Sequence, residues 1–163
     1  MGHTFVDEGA YRNEEPLSPY DIRGLVQLRE ELSVPIATGE NEYTKWGFLD
    51  LFQAGAVDYA MPDAMRCGGI TETKKICTLG EAFGTTVTPH SYTTGVGLAA
   101  TVHTVLSSAA CRWIEYDVTD YPLYEAFLSA PIDLDDACRV ALPTEPGLGV
   151  EIPDEVREEY AMV

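Results

Sequence analysis

Basic charge is what this sequence has least of. Its 163 residues hold three lysines (Lys45, Lys74, Lys75), and ten Lys and Arg together stand against 27 Asp and Glu, for a formal net charge of −17. A field of that sign repels phosphate backbones and anionic headgroups, so neither a nucleic acid nor a membrane surface is an expected partner. No apolar run reaches the length of a membrane span, and Met1-Gly2-His3-Thr4 is not the basic start of a leader. The four cysteines (Cys67, Cys77, Cys111, Cys138) include no C-x-x-C pair, and no histidine stands at zinc-finger spacing from them. Buried free thiols in a reducing, cytoplasmic setting are expected instead. Gly68-Gly69 is not a phosphate loop, because the G-x-G-x-x-G spacing is missing.

What is present is enough apolar material for a core, 45% hydrophobic residues at a mean hydropathy of −0.07. The acidity therefore belongs to the surface of one folded domain rather than to a disordered tail. Such a surface repels itself until salt screens it, since the Debye length falls to about 3 Å at 1 M. A halophilic origin is expected on that ground.

Apolar periodicity predicts helices over Asp21–Leu32, Thr44–Ala54 (stopped by Gly55), Thr71–Phe83 (stopped by Gly84) and Gly95–Ala110. Between them, Val34–Thr38, Val57–Met61, Thr85–Thr88 and Arg112–Glu115 read as short strands, with Trp46 and Trp113 placed in the core. Alternation of this kind means parallel strands joined by right-handed crossovers, an α/β fold. Past Asp117 the chain turns irregular and proline-rich, closing on a short helix over Asp154–Tyr160. Residues 1–13 form an N-terminal segment of uncertain character, and 14–163 one barrel-type unit.

One ionisable group follows each strand: Glu40, Asp63, His90 and Glu115, with Glu14 as an earlier member, at intervals of 23 to 27 residues. A lone acid at such a place is an ordinary helix cap, but five in phase match the way a (β/α) barrel assembles its active site at the carboxyl ends of its strands. Glu14 and Glu40 suit a hard divalent cation such as Mg²⁺. Asp63 and His90 suit a dyad in which the carboxylate fixes the imidazole tautomer and leaves the other nitrogen as a general base. Glu115 suits a hydrogen-bond donor to a developing ene-diolate. Arg66 is expected to back a strand-end carboxylate, His103 to be a packed helix residue, and Lys74 and Lys75 to be solvated.

The segments Glu14-Glu15-Pro16-Leu17, Gly39-Glu40-Asn41, Met61-Pro62-Asp63-Ala64-Met65-Arg66-Cys67-Gly68-Gly69-Ile70-Thr71, Pro89-His90-Ser91, Trp113-Ile114-Glu115 and Pro146-Gly147-Leu148-Gly149-Val150 resemble the enolase superfamily, in its mandelate racemase/muconate lactonizing enzyme family. The Asp63/His90 pairing resembles the mandelate-racemase-like branch. The resemblance implies the C-terminal half of a (β/α)7β TIM-like barrel. Glu14 and Glu40 match Mg²⁺ ligands, His90 the base or acid, Asp63 its partner and Glu115 the ene-diolate donor. Pro146–Val150 match the segment that returns toward the capping domain. The implied activity is proton abstraction alpha to a carboxylate, as an acid-sugar dehydratase or a related racemase acting on a small carboxylate.

The same comparison implies that the capping domain, the first barrel strands, the family's lysine base and its first metal-binding aspartate lie outside these 163 residues. A truncated chain is the expectation, inactive alone, and open edges predict a homo-oligomer or pairing with a missing half. Two alternatives stay open: a non-catalytic half-barrel that folds by association, and an unrelated flavodoxin-like domain.

Overall fold

Four short parallel strands lie side by side in the order in which the chain makes them. They are β1 (Asn13–Glu14), β2 (Ile36–Thr38), β3 (Tyr59–Ala60) and β4 (Thr86–Val87). The computed structural model describes residues 2–119 and 121–161. Its helices are α1 (Gly2–Asp7), α2 (Ile22–Glu31), α3 (Thr44–Ala54), α4 (Gly69–Phe83), α5 (Gly95–Leu106), α6 (Pro122–Glu125) and α7 (Asp154–Glu159). A flavodoxin-like sheet reverses its strand order at a switch point. The monotonic order found here has no reversal and is that of a barrel arc. No helix among the described residues is long and apolar enough to cross a membrane.

Register separates the two faces. Glu14, Ala37, Tyr59 and Thr86 stand in one row across the sheet, while Thr38, Ala60 and Val87 stand in the next. Successive side chains point to opposite faces, so the second row faces the helices, and Ile36, Ala60 and Val87 are fully buried there among Leu25, Phe48, Leu51, Phe52 and Ile76. The helices turn the faces their sequences dictate. In α3, Phe48, Leu51 and Phe52 recur at i, i+3 and i+4, and Gly55 closes the helix at φ +65°. Asp21 caps α2 by accepting the Gly24 N–H at 2.9 Å. A second core forms where Leu98, Ala99 and Val102 of α5 meet Tyr124 and Ile132, with Leu148 and Val150 packed against it. Antiparallel bridges Leu128–Val150 and Leu134–Val140 organise the proline-rich tail.

Several expectations change. The strand expected over Arg112–Glu115 shrinks to one parallel bridge, Val87–Cys111. Pro89 has no N–H to extend the ladder beyond that bridge. Helix α5 stops at Leu106 instead of Ala110, because the Ser107 and Ser108 hydroxyls donate back to the Thr104 carbonyl at 3.1 and 2.7 Å and break the ladder. Neither tryptophan is in the core. Trp46 lies off the buried face of α3 and is 63% exposed, with the Lys45 ammonium 4.5 Å from its ring. Trp113 lies edge-on to Tyr11 and Tyr59, with centroids 5.8 and 5.7 Å away, and stays 44% exposed. Helices α1 and α6 are short additions for which the apolar periodicity gives no signal.

The lysines are not simply solvated either. Lys74 donates to the Ser107 carbonyl at the end of α5, to Ser107 Oγ at 3.1 Å and to Ser108 Oγ at 2.7 Å. Lys75 and Lys45 converge on Glu72 at 2.8 and 3.5 Å. Of the cysteines, Cys67 and Cys77 are buried, Cys111 is half-buried and Cys138 is exposed.

Candidate active site

The five groups expected at strand ends are found there. Glu14 closes β1, Glu40 follows β2 by two residues, Asp63 and His90 follow β3 and β4 by three, and Glu115 follows the Cys111 bridge by four. Gly39 makes the turn after β2 possible. At φ +126° it holds a conformation glycine alone adopts freely, and a Cβ there would lie 2.7 Å from the Phe48 ring.

Asp63 and His90 form a bonded pair. His90 Nδ1 lies 2.9 Å from Asp63 Oδ2, while Asp63 Oδ1 accepts the Met65 N–H at 2.7 Å. Both carboxylate oxygens are thereby fixed, and Asp63 is only 5% exposed. An ionised carboxylate only accepts, so Nδ1 carries the proton and Nε2 is left to face the site. The bond to Asp63 raises the imidazole above its ordinary 6.5, against desolvation, with Glu115 and Glu40 adding to the rise.

Nε2 looks toward two further carboxylates. Glu40 Oε2 lies 3.3 Å away and Glu115 Oε2 3.8 Å away. The Ser91 N–H donates to Glu115 Oε2 at 2.7 Å, which holds that oxygen. Three of the five residues are thus gathered round the imidazole of a fourth.

Glu14 stands apart, paired with Arg12 at 2.7 Å. Its neighbour Glu15 points to the opposite face, where it accepts from Thr38 Oγ1 and from the Gly39 N–H at 3.1 Å. Register thus selects Glu14 as the member of the pair on the face away from the helices. For a hard cation the donors Glu14 and Glu40 are right in kind, since both are carboxylates on adjacent strand ends. They are short in number: among the described residues no group of three or more His, Cys, Asp or Glu is placed to hold a metal ion.

Other contributors were less legible. Arg66 backs a strand-end carboxylate through an intermediary: its Nη1 donates to Asn41 Oδ1 at 2.6 Å, and Asn41 Nδ2 donates to Glu40 Oε1 at 3.4 Å. The roles of Asn41 and of the Ser91 N–H have no signature in the sequence, whereas Arg12 stands two residues from Glu14 and shares its face by strand periodicity. Among the described residues, the buried hydroxyls of Thr88 and Ser91, close to His90 in sequence, have no hydrogen-bond partner. His103 lies in the last turn of α5 and bonds to none of the strand-end carboxylates among the described residues.

Comparison with known proteins places this arrangement. Residues 2–156 match the enolase C-terminal domain-like family. Arabinonate dehydratase of Saccharolobus solfataricus is 34% identical over 160 residues, covering 98% of this chain and 42% of that protein. D-galactarolactone cycloisomerase of Agrobacterium fabrum is 33% identical, over 91% of this chain and 41% of its own length. The crystal structure of 3,6-anhydro-D-galactonate cycloisomerase from Zobellia galactanivorans superposes with a TM-score of 0.90 at 34% identity, covering 98% of this chain and 45% of that one. The chain spans about two fifths of the length of these relatives. The parallel arc therefore belongs to an enolase-superfamily barrel of the mandelate racemase/muconate lactonizing enzyme kind, and this chain is a member of that family.

Proposed function

We propose that this chain carries the His90 side of an active site that moves a proton alpha to the carboxylate of a sugar acid, leading to dehydration or, in a related reaction, racemisation. The observation that carries the reading is the Asp63–His90 bond of 2.9 Å with Nε2 turned toward Glu40 and Glu115. Similarity to sugar-acid dehydratases and cycloisomerases supports the substrate class.

In this reading Asp63 holds Nδ1–H, so the transferred proton comes and goes at Nε2. Glu115, anchored through Oε2 by Ser91 and protonated at Oε1, donates that O–H to the oxygen on which charge develops. Glu14 and Glu40 would supply two of the oxygen ligands of a Mg²⁺ ion, whose chemistry when bound is to neutralise the substrate carboxylate. Arg66 and Asn41 set the Glu40 carboxylate from behind. In a dehydratase an acid then assists departure of the β-hydroxyl.

The test follows exchange of the α-proton by NMR in D2O with Mg²⁺ and a panel of aldonates and 2-hydroxy acids. The chain is assayed alone and mixed with the N-terminal part of a full-length dehydratase of this family. Exchange should fall by about 10²-fold or more in His90→Asn and persist in His103→Asn. Equal loss in both, or exchange indifferent to His90, rejects the assignment.

A second reading, a non-catalytic half-barrel that associates with itself or another subunit, is favoured by one observation: the Tyr11, Tyr59 and Trp113 cluster stays open, with Tyr11 62% exposed. It predicts a dimer or larger species in sedimentation and no exchange in any mixture. A cytoplasmic, salt-rich setting is also proposed for the acidic surface. A thermal midpoint that does not rise with KCl would refute it.

A further inference from the structure

Away from the carboxyl ends of the strands, two cysteines meet between neighbouring units of the arc. Cys77, on the buried face of α4, and Cys111, where the chain bridges to β4, have their sulfurs 3.6 Å apart. This is van der Waals contact between two thiols that are 34 residues apart in sequence. Cys77 lines a recess of about 260 Å³, whose walls include Lys74, Thr78, Glu81, Ser107 and Ser108. A small reagent in the recess meets the Cys77 side chain, and Cys111 behind it is half-buried.

The surroundings favour thiol chemistry. The Lys74 ammonium, held over the recess by the Ser107 carbonyl and the two serine hydroxyls, places positive charge near Cys77. Glu81 is the acidic group on the same wall. The S–H of Cys111 stabilises a Cys77 thiolate, with Ser108 and Lys74 adding to the effect against desolvation. Cys77 is thereby lowered to about 7 while Cys111 is raised. The other two cysteines offer contrasts: Cys67 is buried, with Thr73 Oγ1 3.2 Å from its sulfur, and Cys138 is exposed.

We propose that Cys77 and Cys111 form a redox-active dithiol that closes to an intramolecular disulfide, with a low-molecular-weight disulfide as the oxidant. Cys77 Sγ attacks one sulfur of the oxidant, breaking its S–S bond and releasing one small thiol. Cys111, losing its proton, then attacks Cys77 Sγ and releases the second. Two cysteine thiols are oxidised, one small disulfide is reduced to two thiols, and the two electrons balance. The product staples α4 to the segment that leads to Glu115, closing a loop through β4 and α5.

The experiment exposes the native chain to glutathione disulfide, quenches it with an alkylating agent and maps all four cysteines by mass spectrometry. The expected result is a Cys77–Cys111 cross-linked peptide lighter by two hydrogens. It should form faster than Cys67 is modified, while Cys138 ends in a mixed disulfide with glutathione. In Cys111→Ser the expected product is a stable glutathione adduct on Cys77. The same reaction in denaturant should lose the pairing preference, which shows that the fold creates it. Cys77 and Cys111 remaining alkylatable as long as Cys67 would overturn the proposal. So would cross-links distributed at random among the four cysteines in the native chain.

Discussion

The backbone N–H of Ser91 donates to Glu115 Oε2 at 2.7 Å, so the residue after the imidazole positions the carboxylate one strand further along the arc. The imidazole and the carboxylate are thereby linked without touching, since Nε2 and Oε2 stay 3.8 Å apart. A backbone donor holds a carboxylate with no side-chain freedom of its own to lose.

Asp63 is the chief reason His90 binds its proton more tightly than usual. In Asp63→Asn the His90 titration, followed by ¹H–¹⁵N NMR in metal-free buffer, should move down toward the ordinary range near 6.5. In the wild-type protein the raised value makes protonation stabilising. That contribution is complete below about pH 6.5 and is lost as pH climbs through the native value. A His90 titration identical in both proteins would show that the pair does not exist in solution.

Glu72 titrates in the opposite sense. Lys75 and the Lys45 N–H hold its carboxylate down to about 2. A lowered acid favours the native state above its unfolded value near 4.5, and that preference is lost as pH falls from there toward 2. Lys75→Ala should bring the Glu72 carboxyl resonance back toward ordinary titration, observable by ¹³C NMR.

Asp58 ties three pieces of chain together. One oxygen takes Arg29 Nε at 2.8 Å and the other takes the Ile36 N–H at 2.9 Å. Asp58→Ala leaves the amide of a fully buried strand residue without its partner, a loss of about 1–3 kcal/mol. Urea unfolding should show a lower midpoint with an unchanged slope. Arg29→Ala should cost less, because that ion pair is partly open to solvent and leaves no buried amide unpaired.

Gly80 lets α4 pack tightly against β4. A Cβ there would stand 2.6 Å from Val87 Cγ2 and 3.2 Å from the Thr85 carbonyl oxygen. Gly80→Ala should therefore destabilise by about 1–3 kcal/mol through overpacking, despite alanine's better helix propensity. A thermal melt reads the sign directly: a raised midpoint would mean the helix can lift from the strand without cost.

Helices were far more legible than strands. Thr44–Ala54 is bounded as periodicity and Gly55 dictate, because amphipathic spacing and a left-handed glycine are local properties. Strand lengths are decided by partners. Arg112–Glu115 has the composition of a strand, yet pairing stops at Cys111 where Pro89 offers no N–H. The strand-end groups were visible as a phase in the sequence, but their mutual distances were not. Nothing local says that Glu115 is held by a backbone amide 24 residues earlier. Trp113 shows the same limit from the other side, since its hydrophobicity predicts burial while its face of the arc leaves it open.

Helix α4 is clamped on both flanks, by Glu72 to the start of α3 through Lys45 and by Lys74 to the end of α5. Each strand pairs only with those made just before and after it, so angular errors between units accumulate along the arc. Two polar clamps on a central helix fix the tilt of the units on either side and hence the curvature of the whole. A sequence nearly emptied of lysine has placed two of its three where they set that curvature.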